Sequence, residues 1–357
     1  MKTVLAVLAG VGIALGSASP AFAQTHAPWP SDWNNWSDPA LWVTVGNPGN
    51  AGELSGYSAS RTERICGAVD YECRIGKYEV TAGQYTEFLN AIAGVDTYGL
   101  YNTNMDTAVN SYGCNIKRSG SGTQGDPYTY GVAAEWANRP VNYVSWGDAA
   151  RFVNWLTNGQ PTGPQDLTTT EDGSYYLNGA LTDSELLVVT RKANARYAIP
   201  SEDEWYKAAY YSGSGDVYYD YATGTDSVPS NVLGSPTDPG NNATFWVSGY
   251  TVGSPHYRTE AGTHENSESP YGTFDQGGNV WEWNEAVLCV SGWSTRGLRG
   301  GSFKMSAFYM NAGHRGYDDP TDEVNADGFR IVVVPEPGSA ALLVFCALGL
   351  VRRRRRA

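Results

Sequence analysis

The sequence predicts an α+β domain in which short helices pack around small antiparallel sheets and much of the chain runs in irregular connections. Three observations lead there. Only three segments carry a helical capping box followed by an apolar stripe. Aromatic residues make up 13% of the chain and glycines number 42, a composition suited to turns and half-buried extended pieces rather than long helices. Three long polar stretches, 95–138, 157–195 and 211–270, separate the patterned segments, and such connections are where binding surfaces are usually built.

Taken in order, residues 24–65 are rich in Trp, Asn, Gly, Ser and Pro and read as an irregular segment with one strand around Leu41–Val45. The extended piece RIGKYEV then leads into Thr81-Ala-Gly-Gln84, a capping box followed by Tyr85, Phe88, Leu89 and Ile92 at i, i+3, i+4 and i+7. RPVNYV leads into Ser145-Trp-Gly-Asp148, with Ala149, Phe152, Val153 and Leu156 behind it. RYAIP leads into Ser201-Glu-Asp-Glu204, with Trp205, Ala208 and Ala209 on one face. Asp148, Asp203 and Glu204 lie at helix N-termini, where caps and the helix dipole account for them better than acid–base chemistry does. The chain closes with β-prone pieces at Val280–Trp283, Leu298–Phe303 and Gly328–Val334. No internal repeat interrupts this order.

Both ends carry addresses. Residues 1–23, MKTVLAVLAGVGIALGSASPAFA, combine an early Lys, an apolar run and a small-residue cleavage site, the pattern of a secretory signal. At the other end Val334-Pro335-Glu336-Pro337 leads into an apolar run, Ser339 to Val351, and then Arg352 to Arg356. The run is shorter than the ~20 residues a bilayer helix needs, although flanking arginines can snorkel. Removing both signals leaves 18 basic against 36 acidic residues, a net charge of −18. That surface repels nucleic acid and anionic glycans. Four cysteines, Cys66, Cys73, Cys114 and Cys289, lie outside the tail, an even number in keeping with export. They allow three pairings. Cys66 and Cys73 are near enough to staple a loop, which would leave Cys114 for Cys289. Gly-x-Ser-x-Gly, His-Glu-x-x-His and P-loop signatures are missing.

The motifs RIGKYEVTAGQYTEFLNA, RPVNYVSWGDAARFVNWL, YAIPSEDEWYKAAYY, YGTFDQGGNVWEWNEA, RGGSFKMSAF and ADGFRIV occur in the order seen in the formylglycine-generating enzyme, or sulfatase-modifying factor, family. The resemblance covers about residues 70 to 334 and implies a fold related to C-type lectins. The tail resembles the PEP-CTERM sorting signal of Gram-negative bacteria. This divides the chain into a signal peptide (1–23), an irregular segment (24–65), a sulfatase-modifying-factor-like domain (66–334) and a sorting tail (335–357). The expected processing partners are a signal peptidase and an exosortase-type membrane protease. The expected location is the cell envelope, the cell surface or the extracellular space, with a transient or retained C-terminal anchor.

The resemblance also implies a site. Active members oxidise a sulfatase cysteine with oxygen and a copper ion held by two cysteines, three and eight residues after the RGGS serine. Those positions are Met305 and Met310 here, and a thioether cannot form the thiolate that Cu(I) chemistry uses. Met is a common gap-filler, so the expectation is a refilled pocket, with a Met-ligated copper helped by His314 as the rival. In the family the GNVWEW turn binds Ca²⁺ through main-chain carbonyls and its Glu, which places calcium at Gly278, Asn279, Val280 and Glu282. A second family calcium site would need an Asn near Asn242, in a loop too divergent to assign. Trp283, Arg299, Ser302, His314, Arg315 and Arg330 mark the old active-site cleft, as ligand contacts or as buried structural groups. The family's Asn just ahead of GFR is displaced here, since the chain reads Asn325-Ala-Asp-Gly328.

Together these readings describe an exported domain that lacks formylglycine-generating activity and serves as a peptide- or glycan-binding or structural module. Its expected partner is an extracellular polysaccharide or a surface protein. The alternative is a copper- and oxygen-dependent oxidoreductase that modifies exported sulfatases or other proteins.

Overall fold

The structure is a computed structural model that describes residues 35–56, 63–234, 238–290 and 292–335. The signal segment and the tail beyond Pro335 lie outside the described residues. Along the chain come β1 (Trp42–Val45), β2 (Glu53–Ser55), β3 (Arg64–Cys66), β4 (Cys73–Gly76) and α1 (Ala82–Ile92). The first polar stretch contributes β5 (Ile116–Ser119), β6 (Thr129–Val132) and the single turn α2 (Ala134–Ala137), and then α3 spans Trp146–Thr157. α4 (Asp183–Leu187), β7 (Tyr197–Ala198) and α5 (Glu202–Tyr210) follow, and among the described residues no regular helix or ladder strand lies between α5 and β8. The C-terminal part holds β8 (Trp281–Val290), β9 (Trp293–Arg299), β10 (Gly316–Asp318), β11 (Asp327–Gly328) and β12 (Val332–Val333).

The three expected helices form, and their caps are the ones read from the sequence. In α1 the Thr81 hydroxyl accepts from the Gln84 N–H at 3.2 Å while the Gln84 side chain accepts from the Thr81 N–H at 2.9 Å. Ser145 with Asp148, and Ser201 with Glu204, repeat this reciprocal device at α3 and α5. α4 carries it too, through Thr182 and Glu185. The pattern Thr-Asp-Ser-Glu was visible in the sequence, but only a short helix follows, so no apolar stripe announces it.

Two four-stranded sheets carry the fold, ordered β1-β4-β12-β7 and β10-β9-β8-β11. Every ladder between these strands is antiparallel except the two-residue β11–β8 pairing, which is parallel. The core lies where α1 and α3 meet the first sheet. Phe152 packs edge-on to Phe88 at 5.2 Å and to Phe329 at 5.3 Å, and all three are fully buried. These rings remove large apolar areas from water and lock the helices against the segment between β11 and β12.

Strand limits differ from the expected ones. β8 runs seven residues past Trp283, paired with β9 through a bulge between Trp283 and Val287. β9 ends at Arg299, because the next two residues are glycines at positive φ. The expected 328–334 strand divides into β11 and β12, which join different sheets. The suggested disulfides also do not form: Cys66, Cys73, Cys114 and Cys289 are free thiols. No hairpin joins Cys66 to Cys73, since β3 pairs with β2 whereas β4 pairs with β1 and β12. Cys114 is buried ahead of β5, while Cys289 is exposed near the tip of the β8–β9 hairpin.

Candidate functional site around the RGGS loop

The site is assembled where the turn before β8 meets the loop after β9. Gly278 adopts φ +94° and a Cβ there would strike the Thr244 carbonyl, so the turn requires glycine. Asn279, fully buried, ties four segments together. Its N–H donates to Thr244 O at 2.7 Å, its side-chain amide donates to Glu79 at 3.0 Å, its side-chain oxygen accepts from the Thr259 N–H at 3.2 Å, and its carbonyl accepts from the Phe303 N–H at 2.8 Å. The Val280 N–H donates to Glu79 as well. Glu282 faces Arg330, with contacts of 2.5 and 2.7 Å, and accepts from the Trp205 indole at 2.6 Å. Arg330 also donates to Gly76 O and Phe274 O, and it is fully buried.

Glu282 thus pairs with Arg330 directly, while Glu79 and Asp275 feel the same guanidinium without bonding it. Burial pushes the Glu79 carboxyl well up, reinforced by Asp275 and Glu282, and burial pushes Asp275 up to about 6. Among the described residues, no three His, Cys, Asp or Glu side chains converge as a metal cluster. A cation at this turn would therefore rely on the Gly278 and Val280 carbonyls and share Glu282 with Arg330. That donor set suits a carbonyl-rich calcium turn, and it does not suit a carboxylate cage. The second family position is engaged otherwise: Asn242 donates to the carboxylate of Asp238, which also accepts from the Ser267 hydroxyl at 2.7 Å.

The RGGS loop closes over the turn that carries Met310. Gly300 and Gly301 sit at φ +98° and +73°, and a Cβ on Gly301 would press on Met310 and Tyr309. Met310 is fully buried against Tyr221, Ala243 and Phe245. Met305 is partly buried; its N–H donates to Ser302 O and its carbonyl accepts from the Trp246 N–H, both at 2.9 Å. Ser302 is fully buried, and its hydroxyl has no hydrogen-bond partner among the described residues. His314 lies among the rings of Trp281, Phe308 and Tyr309, with centroids 4.8–5.7 Å away. Burial, helped by Arg299, lowers its pKa to about 4, so it is neutral at pH 7. A neutral imidazole among rings and a thioether in an apolar cluster do not fit the two-thiolate copper chemistry.

The remaining cleft residues are structural. Trp283 is fully buried and its indole donates to Val144 O at 2.9 Å, so it offers nothing to a ligand. Arg299 donates to Glu202 at 2.7 and 2.9 Å and to the Ala312 and His314 carbonyls. Arg315 meets the same carboxylate at 2.6 and 2.7 Å, and Arg64 does so at 3.0 Å. Burial alone would raise the Glu202 carboxyl, but Arg299, Arg315 and Arg64 together hold it down to about 2. Glu202 is the residue that the sequence reading missed. At the first turn of α5 it looks like one more dipole-compensating acid among three in a row.

Residues 68–334 match the family description "Sulfatase-modifying factor enzyme 1-like domain". The chain belongs to that family. Solved structures similar to this sulfatase-modifying-factor-like chain include "Crystal Structure of CarF", 21% identical with a TM-score of 0.45, covering 83% of this chain and 98% of that one. Treponema denticola variable protein 1 is 18% identical with a TM-score of 0.47, at 82% and 95% coverage. PvdO from Pseudomonas aeruginosa is 16% identical with a TM-score of 0.43, at 82% and 94% coverage. No curated protein sequence matches the chain.

On this sulfatase-modifying-factor scaffold the surface around the RGGS loop is aromatic. Trp246, Tyr250 and Phe308 are 45%, 36% and 53% exposed. The Tyr250 hydroxyl lies 3.2 Å from that of Tyr112, whose ring packs 4.7 Å from Tyr257. Lys304 sits 5.9 Å from the Tyr112 ring and bonds Asn325, the displaced asparagine. None of these rings stood out in the sequence, because they lie in the loops that carry no periodic pattern.

Proposed function

We propose that this sulfatase-modifying-factor-like domain is exported and acts as a recognition module without formylglycine-generating activity. The observation that carries the reading is Met310, fully buried in an apolar cluster at a position where the family's chemistry calls for a thiolate. A core side chain cannot serve as a reactive ligand without leaving its packing. Around it the loop is held by main-chain bonds, and Trp246, Tyr250 and Phe308 present rings to solvent. Exposed rings with neighbouring hydroxyls suit an uncharged glycan or an extended peptide at low entropic cost. The net charge of −18 outside the two terminal signals disfavours acidic ligands. A glycan and peptide array with the mature chain tests this. Binding that is lost on Trp246→Ala but kept on Trp293→Ala, a distant exposed Trp, supports the module. No binding to either ligand class counts against it.

The same reading assigns calcium to the turn at Gly278–Glu282 as a structural ion. What supports it is that the buried carboxyl groups of Glu79 and Asp275, both raised in pKa, lie beside the Glu282–Arg330 pair. Calcium would supply positive charge there, while Gly278 and Val280 offer carbonyls and Asn279 fixes the turn.

A further inference from the structure

The first sheet carries a cationic depression of about 460 Å³, lined by Thr44, Glu72, Arg74, Arg196 and the last described residues, Val333 to Pro335. Thr44, Arg74 and Val333 are in register across β1, β4 and β12. Both arginines are exposed, and each rides on a buried ring: Arg74 lies 5.9 Å from Trp42, and Arg196 lies 5.2 Å from Tyr197. The two rings are themselves 5.9 Å apart, so the guanidiniums are seated on one aromatic base.

What sets this pair apart is that neither arginine side chain has an ion-pair or hydrogen-bond partner among the described residues. Every other described arginine reaches a carboxylate or, for Arg258 and Arg296, backbone carbonyls. Among the described residues, Arg74 and Arg196 are the only arginines with neither a carboxylate within ion-pair distance nor a side-chain hydrogen bond to a carbonyl, in a protein with twice as many acids as bases outside its signals. Glu72 lines the same depression without pairing with either, which leaves two guanidiniums against one carboxylate.

Their position along the chain supplies the occupant. The described chain ends in this depression at Pro335, and the apolar run begins at Ser339. Four residues span at most about 14 Å. If that run enters a bilayer, this face is held within the reach of lipid headgroups, while the acidic remainder of the surface is repelled from them.

We propose that Arg74 and Arg196 form a docking face for an anionic lipid surface and orient the domain on the membrane that its tail enters. The inference rests on the reading of the tail as membrane-directed, and it is independent of what the RGGS face binds. Guanidiniums suit lipid phosphates, which they can contact in a planar, bidentate manner.

The test is vesicle flotation of the full chain and of the R74Q/R196Q double variant, on phosphatidylcholine alone and with phosphatidylglycerol added. Both proteins should float equally on phosphatidylcholine, through the shared tail. Phosphatidylglycerol should favour the wild-type chain over the variant by about 10- to 30-fold in partition, as expected for two arginines at a lipid surface, and high salt should abolish the difference. Equal gains for both proteins would overturn the proposal while leaving the tail reading intact. No flotation of either protein on any vesicle would overturn both. Thermal melts without lipid add one more check with Glu336→Gln, the next acid in the chain. If E336Q lowers the melting temperature as much as R74Q/R196Q does, the arginines hold their own chain rather than lipid, and the proposal fails.

Discussion

Replacing Glu202 by Gln removes the carboxylate shared by Arg299, Arg315 and Arg64 and leaves two buried guanidiniums with a neutral amide. The size of the effect follows from the structure. A carboxyl held at about 2 against an ordinary 4.5 corresponds to roughly 3 kcal/mol, at about 1.4 kcal/mol per pH unit. Breaking a buried pair from one side costs about 3–5 kcal/mol, so two routes agree on the magnitude. In a domain of this size the melting temperature should fall by roughly 5 °C. The sign with pH is also fixed. The folded pKa is depressed, so the contribution is fully present above the unfolded value near 4.5 and disappears as pH falls towards 2. Wild type and E202Q should therefore differ most at neutral pH and converge between about pH 4.5 and 2. Thermal melts across that range, with exposed Asp319→Asn as the control, measure both features. A neutral-pH difference below about 1 kcal/mol, the scale of a surface ion pair, would refute the view that this network holds α5 to β9.

Further outcomes follow from the same geometry. Met310→Ala should cost about 2–4 kcal/mol by urea denaturation, because it opens a cavity in the Tyr221–Phe245 cluster; a cost near zero would mean that Met310 is not core. Trp283→Phe should lower stability without altering array binding, whereas Trp246→Ala should do the reverse. A chelator should lower the melting temperature and excess calcium restore it; an unchanged melt would remove calcium from the Gly278–Glu282 turn. Among Cys66, Cys73, Cys114 and Cys289, only Cys289 should react quickly with a thiol reagent in the folded protein, since the others are buried. A disulfide-linked Cys66–Cys73 peptide in a digest would contradict the free thiols.

Much of this was legible in the chain because local rules governed it. Thr81, Ser145 and Ser201 each bond the backbone three residues on, so helix starts could be read from spacing alone. Asn279 and Glu282 stood out through the GNVWEW motif. The sites of misreading share a different property: they depend on long-range packing. Trp283 donates to Val144 and is sealed in the core, and its neighbours from Trp281 to Asn284 are buried on both faces of the strand. Whether a tryptophan of an alternating strand meets solvent depends on what covers its end of the sheet, and no local pattern encodes that. Glu202 was passed over because its partners lie 97 and 113 residues further along the chain. The cysteine spacing suggested a staple that the strand order does not provide. The exposed rings of Trp246 and Tyr250 share one loop and Phe308 lies in another, and their exposure beside the RGGS loop appears only in three dimensions.

The central claim is that the domain keeps the sulfatase-modifying scaffold without its copper chemistry. The most direct measurement is a Cu(I) titration of the mature chain, followed by oxygen consumption and mass analysis of a cysteine-bearing sulfatase peptide. The account predicts no stoichiometric copper at Met305 and Met310, and oxygen uptake and peptide conversion at the level of the protein-free control. One equivalent of bound Cu(I), with turnover of the peptide cysteine to formylglycine that is lost on M305A/M310A, would contradict it.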